Sequence, residues 1–158
     1  MSIAFQYSKK WRFSFNPTKC KLIVFGKDKS KKRVSVTIGN HVIKRVESEP
    51  HLGMLLSNST KLIDEYIKQR IEGCKSICYV TQSLGSYQVP VSPVTASKLY
   101  WQVCMPKLCY GFEVVPLSDT SMESLDVFHN EMAKHCQALP RQTANPGCRI
   151  TLGWQSIR

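Results

Sequence analysis

Acidic residues are nearly missing from the first third of this 158-residue chain. Residues 1–46 hold one, Asp28, against twelve Lys and Arg, while residues 47–158 hold ten of each sign. The whole formal charge of +11 therefore falls in the first third. A positive field of that density attracts a polyanion, most simply a nucleic-acid backbone. Also missing is any run of about eighteen apolar residues, so no membrane-spanning helix is expected. The opening stretch, Met1 to Lys10, is too short and too polar for a secretory signal. No internal repeat is visible.

The seven cysteines form an odd set with no secretory signal ahead of them. A reduced intracellular setting, nuclear or cytoplasmic rather than secreted, is the simpler reading. Cys74-x3-Cys78 and Cys104-x4-Cys109, with His129 and His135, suggest zinc. Their spacings fit known zinc modules poorly, and Cys74 and Cys78 stand at helical spacing among apolar neighbours. Buried free thiols are the preferred reading, with no metal site.

Local patterns divide the chain near residues 57–61. Ile3 to Trp11 reads as the end of an amphipathic helix. Phe13-Ser14-Phe15 alternates, and Asn16-Pro17 signals a turn. Cys20 to Phe25 is a β-rich run stopped by Gly26. Lys27 to Arg33 is a basic connection that also resembles a nuclear localisation signal. Val34 to Ile38 and His41 to Val46, joined by Gly39-Asn40, form a β-hairpin candidate. Glu49-Pro50 reads as a break, with a short strand from His51 to Leu56 after it.

Beyond this, Thr60 offers a helix cap, and apolar residues at 62, 63, 67, 71, 74, 77 and 78 keep helical spacing. Thr95 to Met105 reads as a helix stopped by Pro106. Asp119 or Ser121 caps a long helix with Leu125, Phe128, Met132 and Cys136 on one face. Gln142 onward reads as a loop leading to Leu152-Gly153-Trp154. The expected class is α+β, with strands over 1–57 and helices over 58–158.

Four blocks carry a family resemblance. Trp11 to Gly26 contains Asn16, Pro17, Lys19 and then an apolar strand ending in Phe25. His51-Leu52-Gly53 follows. Next comes Lys98 to Glu113, with Pro106-Lys-Leu108-Cys-Tyr110-Gly111. Last is Leu125-x-x-Phe128-His129, then Leu139-Pro140 and Leu152-Gly153-Trp154. In this order they resemble the part of non-LTR retrotransposon reverse transcriptases that follows the catalytic Asp-Asp motif. The blocks span nearly the whole chain.

The resemblance implies short palm-edge strands and a hairpin over 1–57, then a thumb-like helical region over 58–158. It places Lys19 where the family has a Lys near the incoming triphosphate. It makes His51, Leu52 and Gly53 a primer-grip turn, although the family usually has Tyr where His51 stands. The thumb would touch a template–primer backbone through Lys61, Lys68, Arg70 and Lys75; taken singly, each reads as a solvated charge. Tyr100, Trp101, Tyr110 and Trp154 are candidates for base stacking, but core packing is the preferred reading for all four.

Polymerases of this family hold two Mg2+ ions with paired aspartates. No Asp-Asp occurs in this sequence. The expectation is a truncated remnant that is not an enzyme by itself. It needs no cofactor and no small-molecule substrate. It binds an RNA–DNA hybrid or duplex backbone weakly, with no membrane partner. The residues expected to do so are Lys19, Lys21, Lys27, Lys29, Lys31, Lys32, Arg33, Lys44 and Arg45. The alternative is an independent basic nucleic-acid-binding module without enzymatic ancestry. It needs only the charge asymmetry.

Overall fold

The structure, a computed structural model, describes residues 2–26, 34–83 and 91–157. The fold is mixed α+β. Two compact units divide the chain, Met1–Leu62 and Ile63–Arg158.

The first unit opens with helix α1 (Ser2–Lys10). Strand β1 (Lys21–Leu22) pairs in parallel with β4 (Lys44–Arg45). Between them β2 (Thr37–Ile38) and β3 (His41–Val42) form the hairpin expected around Gly39-Asn40. Gly39 adopts φ +56°, and a Cβ there would stand 3.1 Å from the Phe5 ring. Glycine is thus required both by the turn and by the close approach of α1. The second hairpin joins β5 (Ser48–His51) to β6 (Met54–Ser57), with His51 opposite Met54.

Two expectations for this unit fail. Cys20 to Phe25 contributes only the two residues of β1. Pro50 does not break the chain: it sits within β5, opposite Leu55. A two-stranded ribbon has no inner strand, so the N–H that proline lacks need not be supplied. The turn therefore falls at Leu52-Gly53, inside the run read as a strand.

Only Ile38 and Ile43 are buried apolar side chains in the described part of the first unit. Ile3, Tyr7, Trp11 and Phe25 remain more than half exposed. Burial of apolar surface is the main stabiliser of small folds. The first unit has little of it.

The second unit is built differently. Helix α2 (Thr60–Ser83) runs into it and buries Ile63, Ile67, Ile71, Cys74 and Cys78, one stripe at helical spacing. Helix α3 (Pro93–Leu99) has Ser92 as its cap, with Pro93 where proline is best tolerated. It continues through a π-helical turn (Tyr100–Cys104) into α4 (Met105–Cys109). Pro106 was expected to stop this helix and does not. The wider π turn, closed by Met105 N–H donating to the Tyr100 carbonyl, absorbs the irregularity ahead of the proline.

Helix α5 (Asp119–Cys136) buries Leu125, Phe128, Met132 and Cys136, the expected face. Its cap is Ser118, not Asp119 or Ser121. The hydroxyls of Ser118 and Ser121 both donate to Asp64 of α2, which ties the start of α5 to that helix. The last segment was read as a loop but contains helix α6 (Asn145–Leu152). Gly153 ends it at φ +69°, and Trp154 N–H returns to the Arg149 carbonyl at 2.8 Å. This is the αL stop that turns a following residue back onto its helix.

Trp154 is thereby brought against Tyr100, with ring centroids 4.4 Å apart and planes at 15°. Tyr100 O–H meets His129 Nδ1 at 2.8 Å, and His129 Nε2 meets the Gln155 carbonyl at 2.9 Å. A carbonyl only accepts, so Nε2 carries the proton and the neutral ring takes the Tyr100 hydroxyl at Nδ1.

Burial pushes the pKa of both His129 and His135 below the ordinary value of 6.5. The unfolded chain takes up protons there that the folded one refuses. Their contribution to stability is therefore complete above pH 6.5 and declines as pH falls below it. The Ser118 and Ser121 hydroxyls lower Asp64 from 3.8, so its contribution is lost only at still lower pH. The melting midpoint of the second unit is expected to fall steadily between about pH 7 and about pH 5. Circular-dichroism melts across that range check it. A constant midpoint would count against neutral buried histidines.

Candidate nucleic-acid interface

The geometry of the first unit begins at the end of α1. Arg12 N–H donates to the Lys9 carbonyl at 3.3 Å and Phe13 N–H to the Ser8 carbonyl at 3.1 Å. That pair of bonds needs a left-handed residue, and Arg12 adopts it at φ +55°. An L-residue pays about 1–2 kcal/mol for such a backbone. The reversal carries Phe13 back beside Tyr7, with ring centroids 6.2 Å apart.

Next comes a turn held by Asn16. Its Oδ1 accepts from Thr18 N–H at 3.1 Å and from the Thr18 hydroxyl at 2.6 Å. This is the turn-forming role expected of Asn. Lys19 follows, exposed, with its N–H on the Asn16 carbonyl at 3.2 Å. Lys21 begins β1, and its Nζ reaches the Thr18 carbonyl at 3.3 Å.

The parallel pairing of β1 with β4 has an electrostatic consequence. Lys21 stands opposite Lys44, and Leu22 opposite Arg45. Three exposed cations of the expected set thus lie on one two-stranded ribbon, two residues beyond Lys19. Like charges facing each other across a ladder are destabilising. An anionic partner removes that cost.

Lys27, Lys29, Lys31, Lys32 and Arg33 lie outside the described residues. His51, Leu52 and Gly53 form the exposed tip of the β5–β6 hairpin, with φ of +50° at Leu52 and +77° at Gly53. Leu52 is 73% exposed in a conformation that aliphatic residues rarely adopt.

Sequence reasoning overlooked a second group. Lys9, Lys10 and Arg12 alternate with Tyr7, Trp11 and Phe13, and Phe15 extends the series. All four aromatic rings are exposed. The signal lay in this interleaving, but the stretch reads first as the end of a helix. A cleft of about 580 Å³ borders the series, with Lys9, Phe13, Phe15, Asn40 and His41 among its lining residues.

The second unit corrects several expectations. Arg70 is not a solvated charge: its guanidinium donates to the Tyr110 carbonyl at 2.5 Å and lies 5.1 Å from the Tyr66 ring. Lys75 pairs with Glu131 at 2.6 Å. Tyr100 and Trp154 are core residues, whereas Trp101 and Tyr110 are 42% and 51% exposed. Trp101 stands at the rim, edge-on to Trp154 with centroids 5.8 Å apart. Tyr110 caps the end of α4, where the backbone leaves helical geometry.

Cys74, Cys78 and Cys104 are buried together, with Cys78 Sγ and Cys104 Sγ 3.3 Å apart. Burial pushes up the Cys136 pKa to about 11, and the Cys104 thiol rises to about 12 despite a lowering hydrogen bond from Cys74, chiefly through its hydrogen bond to Cys78. The Cys104 and Cys136 thiols stay protonated at neutral pH. Cys109, expected to be buried, is exposed. No group of three or more His, Cys, Asp or Glu is placed to hold a metal ion among the described residues. The donor set for paired Mg2+ ions, adjacent aspartates, does not occur in the sequence.

A further cavity in the second unit, about 510 Å³, is lined by Tyr79, Asn130, His135 and Arg141. Its charges are partly committed: Lys134 Nζ donates to the Arg141 carbonyl at 2.6 Å, and Glu131 holds Lys75. No described helix is long and apolar enough to cross a membrane.

Compared with known proteins, the chain matches no family profile, no curated protein and no solved structure.

Proposed function

We propose that this chain binds nucleic-acid backbones without sequence preference through the cations of residues 9–45. In this reading it derives from a non-LTR retrotransposon reverse transcriptase and does not polymerise DNA by itself. The observation that carries the binding is the β1–β4 pairing, which sets Lys21 directly opposite Lys44, with Arg45 next along the same ribbon, in a unit whose first 26 residues contain no acid. Repulsion of that kind is relieved by phosphates, and binding through it releases counterions. The ancestry rests on the four ordered sequence blocks. The lack of activity follows from the missing paired aspartates.

A second reading, an independent basic module, is favoured by the concentration of nearly all the net charge, +10 of +11, in one compact unit. An Asp-Asp hairpin encoded in frame just upstream would favour the first reading over the second.

Binding itself is tested with an RNA–DNA hybrid duplex across a salt series. Wild type is compared with a variant in which Lys27, Lys29, Lys31, Lys32 and Arg33 are changed to Gln. The expected result is steep salt dependence, with the slope of log K against log salt shallower by up to about 4.5 in the variant, or about 0.9 per lost phosphate contact. No binding by a folded wild-type chain would overturn the proposal.

A further inference from the structure

The first unit exposes aromatic rings in a contiguous row. Trp11 meets Tyr7 with centroids 6.0 Å apart, Tyr7 meets Phe13 at 6.2 Å, and Phe13 meets Phe15 at 5.3 Å. Their exposures run from 37% for Phe15 to 61% for Trp11. Exposed apolar patches of this kind mark a binding surface. The row is also held in place by the backbone. The left-handed Arg12 and the Phe13-to-Ser8 bond fix where Phe13 stands relative to the helix that carries Tyr7 and Trp11.

Three observations identify the occupant. The rings meet at 47°, 67° and 73°, so they do not stack on one another, and their faces are not consumed by mutual stacking. Lys9, Lys10 and Arg12 are interleaved with them, and no acid occurs in residues 1–26. The adjoining cleft adds Asn40 and His41, hydrogen-bonding side chains that a planar polar ring can use and an acyl chain cannot. Its volume of about 580 Å³ falls within the roughly 300–1,000 Å³ of sites that hold small organic groups.

We propose that this aromatic row and its cleft bind single-stranded nucleic acid, with unstacked bases against Tyr7, Trp11, Phe13 and Phe15 and phosphates on Lys9, Lys10 and Arg12. Charge alone does not distinguish one strand from two. Ring faces do, because bases paired in a duplex already stack on their neighbours and present only their edges. The inference rests on the nucleic-acid reading above and adds to it a single-strand preference located at this row.

The test compares the full chain with a variant carrying Trp11→Leu, Phe13→Leu and Phe15→Leu, which keeps apolar bulk and removes the π faces. Fluorescently labelled dodecamers are used, single-stranded and as the matching duplex, at several salt concentrations. The expected result is a loss of single-strand affinity of about tenfold or more per ring that stacks. Duplex affinity and both salt slopes should stay unchanged, since they report the cations.

Equal loss on both ligands, or loss on neither, overturns the single-strand proposal while leaving backbone binding intact. No binding of either ligand by wild type overturns both. Tight binding to phosphatidylserine vesicles without oligonucleotide binding assigns the row to a membrane surface and overturns it as well. Should the variant unfold, photocrosslinking of wild type to an iodouracil-substituted single strand replaces it. Adducts on Tyr7, Trp11, Phe13 or Phe15 support the proposal, and adducts confined to other residues overturn it.

Discussion

Replacing Tyr100 with Ala is expected to destabilise the second unit by about 3–5 kcal/mol, the range for deleting a large buried aromatic ring. Tyr100 is 2% exposed and lies at the centre of the packing described above. Its ring stacks on Trp154 and tilts against Phe128 with centroids 6.2 Å apart. Its hydroxyl orients His129, and His129 in turn holds the carbonyl of Gln155, beyond the end of α6. The truncation therefore opens a cavity and also leaves a buried acceptor at His129 Nδ1. Tyr100→Phe separates the two effects. It keeps the ring and loses the hydroxyl, at an expected cost of about 1–3 kcal/mol for the unpaired acceptor. Urea unfolding of wild type and both variants checks the order. A loss under about 1 kcal/mol for the Ala variant would mean that the core closes over the gap, contrary to close packing.

Changing Lys21, Lys44 and Arg45 together to Gln is expected to weaken duplex binding about 500-fold near 0.1 M salt and to flatten the salt slope by about 2.7, which corresponds to three phosphate contacts. The same substitutions should leave the free protein slightly more stable, by up to about 1 kcal/mol, because Lys21 no longer faces Lys44 across the ladder. Opposite signs for stability and binding are the mark of charges kept for a ligand. Affinity measured by fluorescence anisotropy, beside a thermal melt of the same preparation, checks both. Unchanged affinity would remove the β1–β4 ribbon from the interface. Lower stability would show that these side chains serve packing instead.

The sequence by itself determined what depends on near neighbours. The stripe Ile63, Ile67, Ile71, Cys74 and Cys78 and the face Leu125, Phe128, Met132 and Cys136 repeat with the helical period, so α2 and α5 could be read directly. Gly39-Asn40 between alternating segments placed the first hairpin for a similar reason. The charge asymmetry is a matter of composition and needs no fold. Helix α6 had its own local marks in Pro146 and Gly153, masked by a stretch that otherwise reads as loop.

Tertiary structure decided the rest, because the deciding partner lies far along the chain. Pro106 continues a helix through a π turn that no local rule supplies. Ser118 caps α5 while its hydroxyl answers to Asp64, 54 residues earlier. Arg70 looks like a surface cation until the Tyr110 carbonyl, 40 residues away, takes its guanidinium. The like-charged ribbon at the candidate interface arises in the same way, since β1 finds β4 only after an intervening hairpin. Periodicity tells which side of an element is apolar. Only the pairing of distant segments tells which charges are left facing the same way.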